Sequence, residues 1–380
     1  MMADWGAEVI KVEGLKGEDW RWQGREYGLP ADEDNNPGFQ VENANKKSIA
    51  INLKDPGGKA AFLKLLESAD VLLTNTRYKG LTKLGLDYPS LKDRFPKLIY
   101  AHLSGLGETG PDKDRPGYDL TAFWARSSIL SFWSYKEFPP MYPGPGVGDT
   151  ATGQALCAAI LAALSQRERT GRGDSIEISL FGTALWANSM GVIMGQEQYG
   201  LSYPLSLYDG NDPSYLLYET QDHKWVLFAL GWEQDYADLF AHIGLGDLIG
   251  DPRFSTTAAA KENLREGVDI LRQAISKIPS SVLRSELDQC NFAYEMLATF
   301  DEVSKDEQAW ANGYLKSITL ESGAQVILPT TPVQFGSVSE MKYDLAPLLG
   351  ANTSEILKAN GYSDQEIQTL CDNGAVLQHQ

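Results

Sequence analysis

The chain has 380 residues, 43% of them hydrophobic, enough to bury a large core in two or three domains. Its 33 Lys and Arg stand against 51 Asp and Glu, and the net charge of −18 opposes general attraction to nucleic acid or an anionic membrane. Cys157, Cys290 and Cys371 are widely spaced and odd in number, which excludes a disulfide framework and gives no zinc spacing.

Met1–Trp5 reads as the tail of a helix, so the sequence begins partway through an α/β unit. Gly6–Glu13, with β-branched Val9, Ile10 and Val12, reads as a short strand. A polar stretch from Gly14 to Asn45 leads to a second strand at Ser48–Leu53, where Ile49, Ile51 and Leu53 alternate. Lys54-Asp-Pro-Gly-Gly58 breaks it, Lys59–Ser68 has helical spacing, and Asp70–Thr74 and Leu98–Ser104 are further strands. Leu156–Leu164 reads as a helix and Ser175–Leu180 as a strand; this alternation predicts a parallel, doubly wound sheet. Tyr203–Pro213 is loop-like, Lys224–Leu230 is a strand, and helical segments follow to about Glu302, marking a second, smaller domain. No run approaches the roughly 18 to 20 continuous apolar residues of a membrane span. The start lacks the regions of a signal peptide, so a cytoplasmic location is expected.

Several segments in order carry a family pattern: Gly6–Glu13, Asn45–Lys54, Ala69–Asn75, Leu84–Tyr88, Ser104-Gly-Leu-Gly-Glu-Thr-Gly-Pro111, Arg115-Pro-Gly-Tyr-Asp-Leu120 and Thr170-Gly-Arg-Gly173. With these the chain resembles the class III CoA-transferases, the family that includes formyl-CoA:oxalate and carnitine CoA-transferases. Glu42–Lys47, Thr121–Arg126 and Asp306–Asn312 are most similar to its 2-hydroxyacyl-CoA transferases, which act on acids such as phenyllactate or 2-hydroxyisocaproate.

The resemblance implies a Rossmann-like large domain with a parallel sheet, formed by residues 1–190 and 325–380, and a smaller α+β domain with its linkers at 191–324. It also implies an interlocked-ring homodimer. The family's first strand and helix, about 20 residues by the size of half a βαβ unit, do not appear in this sequence.

Asp149, in Gly146-Val-Gly-Asp-Thr-Ala-Thr-Gly153, matches the family's nucleophile. Taken alone it reads first as a helix N-cap, because Asp is a preferred cap. A position near the helix N-terminus would also keep its carboxylate ionised. By resemblance Tyr118 and Asp119 join it in the active site, although alone they read as a turn entering a helix. Related racemases carry His at the position of Tyr118, and tyrosine, with a pKa of about 10, is a poor base near neutrality.

The family's CoA-contacting stretches fall on Arg21, Ile51, Lys54, Asn75, Thr76, Arg77, Lys83 and Leu84. Any one of the cations alone reads as a solvated surface charge. Grouped after successive strands, they stand where open α/β sheets bind ligands. The resemblance thus implies transfer of CoA between an acyl-CoA, 2-hydroxyacyl or enoyl/arylacyl, and a free carboxylic acid, through an aspartyl anhydride and an aspartyl-CoA thioester. CoA enters as co-substrate, and no permanently bound cofactor or metal is expected. The alternatives are an acyl-CoA racemase and a CoA-binding protein inactivated by the absent first unit. A lid at Tyr208–Pro213 keeps one glycine where the formyl-CoA enzyme has a run. His102, His223, His242 and His379 fit no metal spacing or triad, and are read as structural or surface residues.

Overall fold

In this computed structural model the described residues are 1–29, 36–209, 213–230, 233–338 and 342–379. The strands in chain order are β1 (Ile10–Glu13), β2 (Lys47–Ile51), β3 (Val71–Thr74), β4 (Ile99–Ser104) and β5 (Ser175–Ser179), then β6 (Leu217–Glu219), β7 (Trp225–Ala229), β8 (Ala293–Met296), β9 (Leu315–Thr319), β10 (Gln325–Pro329) and β11 (Val376–Leu377). The chain forms two compact units. The first comprises Met1–Phe123, Pro145–Ala184 and Ser304–Gln380, and the second Trp124–Gly144 and Leu185–Val303.

The first unit holds the parallel pairs. β3, β4 and β5 run side by side, with Val71 opposite Ile99 and Tyr100 opposite Ser175. β1 runs parallel to β2, whose other edge takes β11 antiparallel. Ser48 through Ile51 of β2 are all buried, as are Ile99 through His102 of β4. Burial on both faces marks a parallel sheet covered on each side, and it overrides the half-buried alternation expected at Ile49, Ile51 and Leu53.

Distant segments finish the unit. The Asn352 side chain accepts a hydrogen bond from Ser48 N at 3.0 Å, and Gly350 N donates to Ser48 Oγ at 3.0 Å. β9 and β10 pair antiparallel as a hairpin within the same unit.

The helices start where local chemistry permits. Pro56 opens the helix Pro56–Leu65, and Asp55 Oδ1 accepts from Gly57 N and Gly58 N at 2.8 and 3.0 Å. Proline is suited to this first position because its missing N–H would have no helical partner. The helix expected over 156–164 extends to Val147–Thr170. By length and composition this helix could cross a membrane. However, Leu156 and Ile160 pack with Ala101, Leu103, Ile176 and Ile178, so one side of it is a core face.

In the second unit β6, β7 and β8 form an antiparallel sheet. β7 alternates, with Val226 and Phe228 buried and Trp225, Leu227 and Ala229 exposed. The inward side chains meet Leu239, Leu271, Leu283 and Leu287 in this unit's core.

The Thr170–Gly173 motif has a steric role. Gly171 ends the long helix at φ 71°, a left-handed conformation that suits glycine. A Cβ on Gly173 would lie 2.0 Å from the carbonyl oxygen of Leu98. Because that neighbour is backbone, Gly173→Ala should destabilise the protein by about 1–3 kcal/mol or more, read as a lower denaturant midpoint; an unchanged midpoint would show that the strands shift apart freely.

Candidate active site

The site is organised around the start of the helix Val147–Thr170. Gly146 occupies the N-cap position at φ 85°, and Asp149 lies in the first turn. Asp149 therefore is not the N-cap. Its carboxylate makes no hydrogen bond or ion pair among the described residues.

Asp119 takes over the capping work. It is buried, and its two oxygens accept hydrogen bonds from Gly146 N and Gly148 N, each at 2.8 Å. A helix start leaves such N–H groups without partners, and a carboxylate there is favoured by the helix dipole. Gly148 permits the contact, since a Cβ would come within 2.3 Å of both Asp119 Oδ1 and Phe123 Cγ. Asp119 is placed by another close approach: a Cβ on Gly105, just beyond β4, would lie 2.7 Å from the Cα of Gly117.

Burial raises the Asp149 carboxyl pKa above the ordinary aspartate range, and the charge of Asp119 raises it further. This opposes the expectation that the helix terminus alone holds the group ionised. Asp149 remains exposed by accessible area, so the crowding does not close it to a ligand. Tyr118 is 73% exposed, and its backbone, not its phenol, makes the local bonds, with Thr121 Oγ1 and Ala122 N.

The charge of Asp149 is felt by Glu42 on the helix Pro37–Asn43. Burial raises the Glu42 carboxyl, Lys46 pulls it back, and Glu18 and Asp149 push it up again. Burial, with repulsion from Lys11, pushes Lys46 down to about 8. Its ammonium donates to Asn43 Oδ1 at 3.0 Å, while Lys11 pairs with Glu18 at 2.5 Å. Glu42 and Lys46 fall in the Glu42–Lys47 stretch that carries the resemblance, but no role for them was legible, because their environment comes from segments far apart in the chain.

The residues matched to CoA contacts divide into two kinds. Arg21 is 2% exposed and committed to protein: its Nε and Nη2 donate to Glu13 at 2.9 and 2.7 Å, both Nη atoms reach the carbonyl of Pro347 at 3.2 Å, and its guanidinium lies 4.3 Å from the Phe39 ring centre. Ile51 is buried at the end of β2, and Leu84 packs at the edge of the core. Lys54, Asn75, Thr76, Arg77 and Lys83 are exposed. Lys54 follows β2; Asn75, Thr76 and Arg77 follow β3, and Lys83 lies on the helix Tyr78–Leu84 beyond. Lys54, Arg77 and Lys83 form no ion pair among the described residues. Residues 210–212 of the expected lid lie outside the described residues.

The sequence profile of CoA-transferase family III matches residues 1–353, and the chain belongs to this family. It is 35% identical over 377 residues to the (R)-2-hydroxy-4-methylpentanoate CoA-transferase of Clostridioides difficile, covering 99% of this chain and 94% of that protein. It is 36% identical over 379 residues to the cinnamoyl-CoA:phenyllactate CoA-transferase of Clostridium sporogenes, covering 97% and 90%. Among solved structures, a CAIB/BAIF family protein from Brucella suis matches with a TM-score of 0.80 at 28% identity, covering 94% of this chain and 93% of that one. The chain is thus a class III CoA-transferase, with coenzyme A as co-substrate.

Asp119→Asn leaves one oxygen to accept from two N–H groups and turns an amide donor toward them. The expected loss is about 1–3 kcal/mol of stability, measured by denaturant unfolding; no loss would show that the Gly146–Gly148 turn holds itself. Lys46 supplies a pH test. Its folded pKa falls from 10.5 to about 8, so between those values the unfolded chain binds more protons and stability rises with pH. Lys46→Met should therefore raise Tm at pH 7 by about 2–4 °C, with the difference closing as pH approaches 10. An equal difference at both pH values would rule out a desolvated ammonium.

Proposed function

We propose that this enzyme moves CoA between a 2-hydroxyacyl-CoA, or a related enoyl- or arylacyl-CoA, and a free carboxylic acid, with Asp149 as nucleophile. The observation that carries the reading is the unbonded, accessible Asp149 carboxylate on a helix start held by Asp119. Its raised pKa makes its carboxylate more basic, and hence more nucleophilic, than that of an ordinary aspartate. The substrate class follows from the two clostridial relatives, whose names specify a 2-hydroxy acid and phenyllactate.

An Asp149 oxygen attacks the thioester carbonyl carbon, the C–S bond breaks, and CoA thiolate leaves a mixed anhydride. The thiolate then attacks the aspartyl carbonyl, releasing the donor acid as carboxylate and leaving CoA in thioester linkage to Asp149. The acceptor carboxylate attacks that thioester, expelling thiolate and forming a second anhydride. The thiolate attacks its acyl carbon, giving the new acyl-CoA and restoring Asp149. No net proton transfer or redox change is required.

The unit built from the N-terminal half and the C-terminal segment would bind CoA, with Lys54, Arg77 and Lys83 facing its phosphates and Leu84 its apolar parts, and with Ile51, buried at the end of β2, supporting the site from within the core. Arg21 would act there indirectly, by fixing Glu13 and the turn around it. Cytoplasmic homodimers complete the proposal. Exposed Val147 and Leu161 in the first unit, and Trp186, Met190 and Phe300 in the second, provide apolar surface for a second copy.

The test is intact mass after brief exposure to 2-hydroxyacyl-CoA and arylacyl-CoA donors, with hydroxylamine trapping. An adduct mapping to Asp149 and lost in Asp149→Ala is expected; folded, CoA-binding protein with no adduct from any donor would refute the covalent reading.

A further inference from the structure

His102 stands on β4 and is 2% exposed. One ring nitrogen, Nδ1, contacts the Glu108 carboxylate, and the other, Nε2, lies 2.9 Å from the carbonyl oxygen of Thr76. Thr76 is the middle residue of the Asn75–Arg77 loop beyond β3. Glu108 lies in the turn beyond β4, where its own N–H donates to Glu177 of β5 at 2.6 Å. Ser104 Oγ accepts from Gly107 N at 2.9 Å and tightens the same turn. The loops beyond β3 and β4 are thus tied through one imidazole, and the turn beyond β4 is tied to β5 through the Glu108 N–H.

The hydrogen-bond chemistry sets the protonation of this link. A carbonyl oxygen only accepts, so Nε2 must carry a proton to bond Thr76. An ionised carboxylate also only accepts, so Nδ1 must carry one too. Neutral imidazole has a single N–H and cannot serve both partners. The pair holds together when it carries one proton beyond neutral imidazole and ionised Glu108, on the ring or shared with the carboxyl. The other titratable groups facing it are Tyr78, whose ring centre lies 6.1 Å from that of His102, and Glu177, bonded to the Glu108 backbone.

We propose that His102, with Glu108, is a positioning residue for CoA binding, holding the Asn75–Arg77 loop in register through the Thr76 carbonyl. The inference rests on the CoA-binding reading of that loop. It makes binding, rather than the chemical step at Asp149, the property that His102 controls.

The experiment is calorimetric titration of the full-length protein with coenzyme A, alongside steady-state kinetics and Asp149 adduct formation. His102→Leu should weaken CoA binding about tenfold, the scale of one lost hydrogen bond, raising KM for acyl-CoA while kcat and the adduct at saturation change little. His102→Gln, whose amide can still donate to Thr76, should recover most of that loss. Glu108→Gln can donate its amide to Nδ1 of a neutral ring, leaving Nε2–H on Thr76, and should bind CoA about as the wild type does. If His102→Leu folds poorly, His102→Phe, which keeps a ring and lacks the donor, decides the matter by comparison with His102→Gln. Equal CoA affinity in wild type and all folded variants would overturn the inference alone, as would a parallel fall of kcat in every variant. Failure of the wild type itself to bind CoA would instead overturn the reading of the loop.

Discussion

The active-site geometry depends on one carboxylate gripping two backbone N–H groups. Asp119 bonds Gly146 and Gly148 across the start of the long helix, which fixes where the first turn begins and where Asp149 projects. A helix start usually recruits its own acidic side chain as a cap. Here that work falls to a residue thirty positions earlier, so Asp149 is left without a bond. The absence of a side chain on Gly148 is part of the same device, because the space a Cβ would fill is occupied by Asp119 and Phe123.

The arrangement has an electrostatic cost that suits the proposed chemistry. Two carboxylates share one helix terminus, and the buried one uses its hydrogen bonds to remain there. The other, crowded and repelled, has its pKa raised. A fully stabilised aspartate would be a poor nucleophile, since the bonds that stabilise its charge would have to be given up on attack. On the opposite side of the balance, a chain of net charge −18 must still hold a polyanion such as CoA. Lys54, Arg77 and Lys83 remain outside ion pairs among the described residues, whereas Arg21, Arg94 and Arg167 are neutralised by acidic partners.

Much of this was legible in the sequence. The strands at 71–74, 99–104, 175–179 and 225–229 fell within a residue or two of expectation because each is a short β-branched or apolar run bounded by turn residues. The family pattern marked Asp149 and Asp119, and geometry added how one serves the other. Helix extent was less legible: the ends of 147–170 carry no apolar periodicity, and the packing against β4 and β5 comes from Leu156, Ile160 and Leu164 within the segment already expected. The part played by Arg21 was hidden too, since its partners Glu13, Phe39 and Pro347 meet only through tertiary folding. His102 gave no signal, because a histidine bonded to a glutamate six residues on and a carbonyl 26 residues back matches no catalytic or metal motif.

The end of β4 emerges as the reference from which both halves of the site are set. At His102 the strand reaches sideways to the loop beyond β3, and at Gly105 its extension meets Gly117, which leads directly to Asp119 and the helix that carries Asp149. These points are three residues apart, about 10 Å along an extended chain. The loop proposed to hold CoA and the aspartate proposed to attack its thioester are thus both registered to one buried strand. Such registration matters for covalent group transfer, because the thiolate must return to the aspartyl carbonyl after it leaves the acyl carbon. Fluctuations that moved the loop and the helix independently would lose that alignment; fixing both to β4 makes them share whatever motion the strand allows.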